Sequence, residues 1–414
     1  MDLLLTIVFW WAVAVFSAEM VRVGMTFWVN YRYKEPQDTH VMGPKELAVI
    51  IPCHNSAEII EETLRSLPSQ YTIYCIANNC TDETVSTVRS LQHDLPQVNL
   101  ITVNYSVPSK MKAMIIGALQ ARSSGFTHFL QVDDDVIWPR GLSGVELLDR
   151  AAAATSLPVL TSTAHTLIQG LQNLEYEGVC IAKRFQFLFG KDVTWASGAA
   201  AIYRCDAFLE AAKIHDGLFQ GDDVQLSYII HYLGGRIDFL SRVTVATQPP
   251  PTLRAWWWQR AHSWEVAFMF LHSGLMMRVL LHRASDGASR WIRFMTIYRI
   301  YDGISVFGKL ALPLLVIYQP IVMIFFALLT YGVMGGHYVT YHYYFPRVSP
   351  RWNRSIAFAM LMRPLYDYLV WISQLAAFPR AMSLRLKPRT TLAAFVEEAS
   401  ATALGRVPEH VRSR

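Results

Sequence analysis

The chain of 414 residues has little charge, and several common catalytic motifs are absent from it. Only 17% of the residues are charged and 52% are hydrophobic, which is more apolar than a typical soluble protein. The net charge is +5 and the Lys and Arg residues are scattered, so the sequence gives no support to nucleic-acid binding. No GxGxxG follows a predicted strand, and neither GxxxxGK(S/T) nor HExxH occurs. The usual signatures of dinucleotide binding, P-loop phosphate binding and zinc peptidases are therefore excluded.

Cysteine is also scarce and shows no metal-binding or disulfide pattern. The five cysteines are Cys53, Cys75, Cys80, Cys180 and Cys205. None forms a CxxC pair, and three lie in or beside predicted strands. We predict buried, reduced thiols in a domain that faces the cytosol.

The hydrophobic surplus is concentrated at the two ends of the chain. Residues 3–29 are long enough to span a bilayer, although Glu19 and Arg22 interrupt the second half. A cleavable signal peptide is the alternative, but no basic residues precede the run and no small-residue cleavage site follows it. Basic residues follow the run, and we therefore predict a transmembrane helix at 1–31 with the next domain in the cytoplasm.

Two further apolar runs lie near the other end. The run at about 310–334 is the strongest membrane signal in the chain. The run at about 356–378 contains Arg363 and Asp367, whose four-residue spacing allows an ion pair on one helix face. This run fits either a membrane span or a helix in the membrane interface. The predicted segments are a transmembrane hairpin at 305–380 and a cytoplasmic tail at 381–414.

The middle of the chain, 45–250, alternates short β-rich runs with amphipathic helical stretches. This alternation predicts an α/β domain with a mostly parallel sheet. Strands are predicted at 47–52, 71–77, 98–103, 126–132, 157–163 and 236–241, and helices at about 56–67, 82–93, 109–122, 206–213 and 223–233. Ligands of such sheets bind beyond the carboxyl ends of the strands, so the polar residues that follow each strand are the candidates for a site.

The α/β pattern ends at three prolines, and a cluster of tryptophans with arginine follows. Trp256, Trp257 and Trp258 favour a membrane interface, although tryptophan rings also stack on sugars. We predict amphipathic interface helices at 251–304.

Three adjacent carboxylates, Asp133, Asp134 and Asp135, follow the predicted strand FTHFLQV. Alternation along an extended chain places Asp133 and Asp135 on one side and Asp134 on the other. Two carboxylates on one side can bind Mg²⁺ or Mn²⁺, and phosphate oxygens are natural further ligands of such an ion. An Asp-rich solvated turn is the alternative for this segment taken alone.

An ordered set of motifs surrounds these aspartates. PCHN follows the first strand and NNCTDET the second, and SKMKAMIIGAL, DDD, WASGAAAIYR, GDDVQLSYIIHYLGG and RAHSW come after them. The set resembles the membrane-bound branch of family 2 glycosyltransferases, which have the GT-A fold and include cellulose, chitin and hyaluronan synthases and ceramide glucosyltransferases. The resemblance covers about residues 46–265 and the flanking apolar segments.

The resemblance implies roles for individual residues. It assigns Asn55 to the nucleotide pocket, Asn78 to uracil recognition and Lys110 to the donor diphosphate. It assigns Asp133 to the ribose and the metal, Asp135 to the metal, and Asp223 to general-base catalysis. Asp222, Arg260 and Trp264 belong to motifs that contact the acceptor or the donor diphosphate.

Three positions depart from the family pattern. Asn78 stands where the family usually has Asp, which keeps an acceptor oxygen but removes the charge. Ser56 replaces the usual Glu, and Ser263 replaces the arginine that precedes the motif tryptophan. The Ser263 departure removes a five-donor group from the phosphate side and weakens the assignment as a processive synthase.

The sequence therefore predicts a cytoplasm-facing membrane enzyme. It transfers a sugar with inversion from a UDP-sugar to a growing polysaccharide, and it needs Mg²⁺ or Mn²⁺. Transfer to a lipid acceptor is the alternative, and a catalytically inactive nucleotide-sugar-binding subunit is a further one. Membrane lipids are expected partners and nucleic acids are not.

Overall fold

The computed structural model describes residues 2–34, 38–139, 144–161, 165–281, 287–318, 354–387 and 389–403, with single positions between 320 and 343. Its strands are β1 His40–Val41, β2 Leu47–Cys53, β3 Thr72–Asn78, β4 Val98–Val103, β5 His128–Val132, β6 Glu146–Leu147, β7 Ala154–Ser156, β8 Val159–Thr161, β9 Ala200–Arg204, β10 Ile237–Phe239 and β11 Val245–Thr247. Its helices are α1 Asp2–Arg32, α2 Ile60–Ser66, α3 Thr84–Leu91, α4 Lys110–Ser123, α5 Leu167–Gly190, α6 Cys205–Ile214, α7 Asp222–Tyr232, α8 Leu253–Gln259, α9 Ser273–Leu281, α10 Gly287–Tyr318, α11 Arg354–Leu386 and α12 Ala393–Ala403. Two π-helical stretches, Arg260–Trp264 and Ala267–Leu271, lie between α8 and α9.

Seven strands form the central sheet in the order β10-β7-β9-β5-β2-β3-β4. Only β9 is antiparallel to its neighbours, so the predicted α/β fold with a mostly parallel sheet is confirmed. The strand β2 is buried along its whole length, as its uninterrupted apolar sequence LAVIIPC requires. Two further pairs, β1 with β6 and β8 with β11, lie beside this sheet.

The hydrophobic core occupies both faces of the sheet. Leu47, Val49 and Ile51 point to the face covered by α2 and α3, whereas Ala48 and Ile50 point to the face covered by α4 and α6. Each of these large aliphatic side chains contributes about 1.5–3 kcal/mol by leaving water. Helix α4 approaches β2 very closely at Gly117, where an added Cβ would lie 2.6 Å from Cγ2 of Ile50.

The secondary structure differs from the predictions at one predicted strand and at two elements, β9 and α5, that were not predicted. Of the strand predicted at 157–163, only β8 forms among the described residues, at Val159–Thr161. The strand β7 comes just before it and belongs to a different sheet, and Pro158, which cannot donate a ladder hydrogen bond, lies between them. The strand β9 was not predicted, because its Ala-rich sequence AAIYR has low β propensity. Helix α5 was not predicted either, although Thr166 and Gln169 form a capping box at its start.

The predicted membrane segments are helical wherever the structure describes them. Helix α1 covers the predicted 1–31 span, and the run at 356–378 lies within α11. The run at 310–334 lies largely outside the described residues. Among the described helices, the continuous stretch Leu253–Leu281 is the one long and apolar enough to cross a membrane, and 44% of its most apolar part is buried inside the molecule. It bends at Met269 and Phe270, whose backbone angles are not helical.

Candidate active site

The polar residues of the motifs gather where β2, β3 and β5 end and where α7 begins. Asp133 follows β5 directly, and its backbone N–H donates to the carbonyl of Ala199 at 2.9 Å. That bond holds the segment before β9 against the end of β5. Asp222 and Asp223 form the first turn of α7 after Gly221, which has a positive φ of 66°. The sheet edge thus carries a cluster of carboxylates.

Lys110 is the cation at the centre of this cluster. It begins α4, where Ser109 caps the helix by accepting from the N–H of Lys112 at 3.3 Å. The Nζ atom of Lys110 lies 2.6 Å from Oδ1 of Asp133 and donates to the carbonyl of Gly198 at 2.9 Å. Burial lowers the pKa of Lys110, but the Asp133 and Asp222 carboxylates outweigh burial and leave the pKa above its usual value. Lys110 therefore stays cationic.

Asp133 and Asp135 have the character expected of metal ligands. Burial raises the pKa of Asp133 to about 7, and the Asp135 charge adds to the rise although Lys110 opposes it. Burial also raises the pKa of Asp135, whose Oδ2 accepts from the hydroxyl of Thr247 at 2.8 Å. Two adjacent carboxylates that are costly to ionise fit a divalent cation, which would favour their charged forms. Among the described residues, no group of three or more His, Cys, Asp and Glu side chains is arranged to hold a metal, so a bound ion would need further oxygen ligands from the substrate.

Asp134 points to the other side of the segment and has a structural role. Its Oδ2 accepts from the hydroxyl of Ser56 and, at 3.4 Å, from the N–H of His54. Its carbonyl accepts from the hydroxyl of Thr63 in α2 at 2.7 Å. Asp134 thus joins the aspartate segment to the loop after β2. Ser56, which replaces the Glu that is usual in the family, supplies one of the donors.

Asp223 is held by backbone donors. Its Oδ2 accepts from the N–H of Gly198 at 3.0 Å, and its Oδ1 accepts from the N–H of Val224 at 2.9 Å. Burial raises the pKa of Asp223, and the adjacent Asp222 raises it further. Burial likewise raises the pKa of Asp222. A positioned carboxylate with a raised pKa suits a general base.

Lys183 is a charged neighbour of this site that the sequence motifs did not identify. It lies on α5 and is buried, and its Nζ donates to the hydroxyls of Ser156 at 3.2 Å and Ser197 at 3.0 Å. Burial lowers its pKa to about 8. The Lys183 charge in turn lowers the pKa of Asp223.

Gly198 contacts both Lys110 and Asp223, but the sequence identified it only as part of the motif WASGAAAIYR. Its close approach to Asp223 requires a residue without a side chain.

The asparagines assigned to the nucleotide lie at the ends of β2 and β3. The Oδ1 atom of Asn78 is buried and has no hydrogen-bond partner among the described residues, so it can accept from a ligand. Asn55 has a left-handed backbone with a φ of 55°, and its Oδ1 accepts from the N–H of Thr81 at 2.7 Å. Asn55 therefore shapes the pocket by joining the two loops, while Asn78 offers it a free acceptor.

Arg260 and Trp264 lie in a π-helical stretch and contact residues of α5. Arg260 is buried between helices and donates to both carboxylate oxygens of Glu175, one of them at 2.7 Å, and to Glu265 at 3.0 Å. Its guanidinium lies 4.6 Å from the centre of the Trp264 ring. Among the described residues, Arg260 forms no hydrogen bond or ion pair with Lys110 or the aspartates. Its terminal nitrogens donate to Glu175 and Glu265, and its Nε has no partner.

The three tryptophans predicted to lie at a membrane interface differ in how far they are buried. Trp256 is buried and donates to the hydroxyl of Tyr366 at 3.0 Å, whereas Trp258 is exposed and stacks on His262 at 3.8 Å between ring centres. Trp257 is half-buried, so Trp258 is the most exposed of the three rings and the best placed to meet a lipid or a sugar from outside.

Comparisons with known proteins agree with this arrangement. A family model described as "Glycosyltransferase like family 2" matches residues 44–263, just over half of the chain. The probable glycosyltransferase YdaM of Bacillus subtilis (strain 168) is 22% identical over 268 residues, which is 60% of this chain. The match spans 62% of that relative's length.

A solved structure gives the fold. The mannosyltransferase PcManGT from Pyrobaculum calidifontis, in complex with GDP-Man and Mn²⁺, superposes with a TM-score of 0.54 at 16% identity. The superposition covers 90% of this chain and 98% of that one. The likeness establishes the predicted GT-A fold.

Proposed function

Since the chain belongs to the glycosyltransferase family 2-like proteins, we propose that it transfers a sugar with inversion from a nucleoside-diphosphate sugar to a growing polysaccharide at a membrane. The observation that carries the proposal is the continuous contact from Asp133 through Lys110 and Gly198 to Asp223. It joins a site for the donor diphosphate to a general base. A protein that only bound nucleotide sugars would need no such base.

The chemistry follows from the charges. Departure of a nucleoside diphosphate leaves negative charge on the diphosphate, which the Lys110 ammonium stabilises at the sheet edge. Asp133 and Asp135 would hold Mg²⁺ or Mn²⁺, and the cation would neutralise further charge on the leaving group. Asp223 takes the proton of the acceptor hydroxyl as that oxygen attacks the anomeric carbon, and the proton remains on the carboxylate. One displacement on the face opposite the leaving group inverts the anomeric configuration.

The donor nucleobase is expected to contact Asn78. Its unpartnered amide oxygen can accept from the imide N–H of uracil, and leaving it unpartnered costs free energy. We therefore propose a UDP-sugar as the donor. Guanine also presents N–H donors, and PcManGT was solved with GDP-Man, so uridine and guanosine donors must be compared directly.

Transfer to a lipid is the second candidate, and the placement of Arg260 favours it. In processive synthases the corresponding motif helps to hold the donor diphosphate, but here Arg260 is engaged by Glu175 and Glu265, and Ser263 offers no cation. The apolar stretch Leu253–Leu281 and helices α1 and α11 support a membrane location with the α/β domain in the cytoplasm.

The decisive experiment presents purified full-length protein with a panel of UDP- and GDP-sugars, Mn²⁺ or Mg²⁺, and a membrane lipid extract. A ladder of products in the mass spectrum supports polysaccharide synthesis, and one discrete lipid product supports the second candidate. Absence of both transfer and donor hydrolysis across the panel would contradict the enzymatic proposal. Asn78→Ala serves as the donor control, because it should weaken nucleotide binding about tenfold without unfolding the domain.

A further inference from the structure

A cationic cavity lies beside α7, and none of the candidate site residues lines it. Its volume is about 380 Å³, and α7, α9 and the segment after α11 all contribute to its lining. Four cations line it, and we call it the basic cavity: Arg278, Arg385, Lys387 and Arg389, with Gln225 on its wall. No carboxylate is among its lining residues in the described part of the chain.

Three of the four cations have no anionic partner among the residues that the structure describes. Arg389 donates to Oδ2 of Asp216 at 2.5 Å and to the carbonyl of Leu384, which fixes it at the edge of the cavity. Arg278, Arg385 and Lys387 form no ion pair with any described residue. Three like charges converge on one concave surface at an electrostatic cost that a bound anion would remove.

A buried polar group on the cavity wall also points to a ligand. Gln225 is only 7% exposed, and its Oε1 has no hydrogen-bond partner among the described residues. Rotation of the amide exchanges its oxygen and nitrogen, so the same side chain can present an N–H donor to the cavity. An unpartnered buried amide is costly, and a ligand oxygen would satisfy it.

Exposed apolar side chains lie next to the cations in the sequence. Leu386 lies between Arg385 and Lys387 and is 83% exposed, and Leu281 and Met277, in the last turns of α9, are 75% and 48% exposed. A free phosphate ion would make no use of these side chains, whereas acyl chains would cover them. Cations beside exposed apolar groups are characteristic of surfaces that bind acidic lipids.

We propose that the basic cavity binds the phosphate group of an anionic phospholipid. The guanidinium groups of Arg278 and Arg385 bind the phosphate, Lys387 adds charge, and Gln225 donates one hydrogen bond. The acyl chains lie on Met277, Leu281 and Leu386. The site is distinct from the proposed donor site, because none of the residues proposed to bind the donor lines the basic cavity.

The test measures lipid binding by the full-length protein in an uncharged detergent. Short-chain phosphatidylglycerol, phosphatidylcholine and inorganic phosphate are titrated separately by calorimetry. We expect saturable binding of phosphatidylglycerol, with at least tenfold weaker binding of the other two, and loss of affinity at high salt. Inorganic phosphate binding as tightly as the lipid, or no preference for the anionic lipid, would overturn the proposal.

Matched variants locate the site. Arg278→Gln with Arg385→Gln removes two cavity cations and should weaken phosphatidylglycerol binding roughly 25-fold, about fivefold for each charge. The control, Arg89→Gln with Arg122→Gln, removes the same charge from exposed helix positions elsewhere and should leave the affinity unchanged. The single variant Lys387→Gln removes one charge and should weaken phosphatidylglycerol binding about fivefold. Equal affinity in the cavity and control variants, at unchanged melting temperatures, would place the lipid elsewhere and refute the assignment.

Discussion

The backbone N–H of Gly198 donates to Oδ2 of Asp223 at 3.0 Å, while the carbonyl of the same glycine accepts from Lys110. One residue therefore positions both the proposed base and the cation of the donor site. A Cβ added at Gly198 would lie 2.9 Å from that carboxylate oxygen. The position consequently tolerates no side chain without displacing Asp223.

Replacing this glycine should cost activity more than stability. We expect Gly198→Ala to lower kcat about 100-fold, because displacing a catalytic group by about 1 Å can reduce the rate by that factor. The matched control is Gly178→Ala in α5, where an added Cβ meets nothing within 4 Å. That control should keep wild-type kcat and unfold at an equal or higher denaturant concentration. Comparable kcat in both variants would show that Gly198 does not position the base.

The aspartate segment allows a graded test of metal binding. Asp135→Ala should abolish Mn²⁺-dependent transfer, since it removes a proposed ligand. Asp134, by contrast, joins the aspartate segment to the loop after β2 and to α2. We expect Asp134→Ala to lower the free energy of unfolding by about 1 kcal/mol or more while leaving the Mn²⁺ activation curve near that of the wild type. A Mn²⁺ titration of transfer, with urea unfolding of both variants, checks this. An unchanged Mn²⁺ dependence in Asp135→Ala would refute its assignment.

Lys183 should tune the pH dependence of the base. Its charge lowers the pKa of Asp223, so Lys183→Met should leave Asp223 protonated up to a higher pH. The acidic limb of the kcat/KM profile should therefore move to higher pH. Lys213→Met, which removes a half-buried lysine of α6 that pairs with Glu210, is the control and should leave the limb in place. If Lys183→Met lowers the rate equally at every pH, Lys183 is only structural.

Arg260 gives a prediction about folding. Arg260→Gln would leave Glu175 and Glu265 without their buried partner, which costs about 3–5 kcal/mol of unfolding free energy. Arg254→Gln changes an exposed arginine of the same region and should cost less than about 0.5 kcal/mol. Thermal unfolding in detergent measures both. A stable Arg260→Gln protein with weakened donor binding would instead support the diphosphate role that the sequence motif implies.

The sequence predicted those parts of the site that depend on single segments. The strands β2, β3 and β5 are short apolar runs, and the residues that follow them had to meet at one sheet edge. Contacts between distant segments were not predictable in this way. Gly198 meets Lys110 across 88 residues of sequence, and no pattern in WASGAAAIYR identifies that partner.

The contacts of Arg260 could not be predicted without helix α5. Its principal partner is Glu175, which lies on α5, and α5 was not among the predicted helices. Without that helix, the contact with Glu175 could not be predicted, and the resemblance assigned the RAHSW motif to the acceptor and the donor diphosphate. The sequence did contain one usable signal for Lys183, a lysine within the mostly apolar stretch CIAKRFQFLF, where a buried cation usually has a functional or structural partner.

The central claim is that Asp223 is the base for sugar transfer. The most direct measurement compares single-turnover transfer from the preferred nucleotide sugar by the wild type and by Asp223→Asn, which keeps the shape of the side chain and can still bind the donor. The account predicts loss of transfer by at least about 100-fold, with nucleotide affinity changed by less than about threefold. Transfer by Asp223→Asn at the wild-type rate would contradict it.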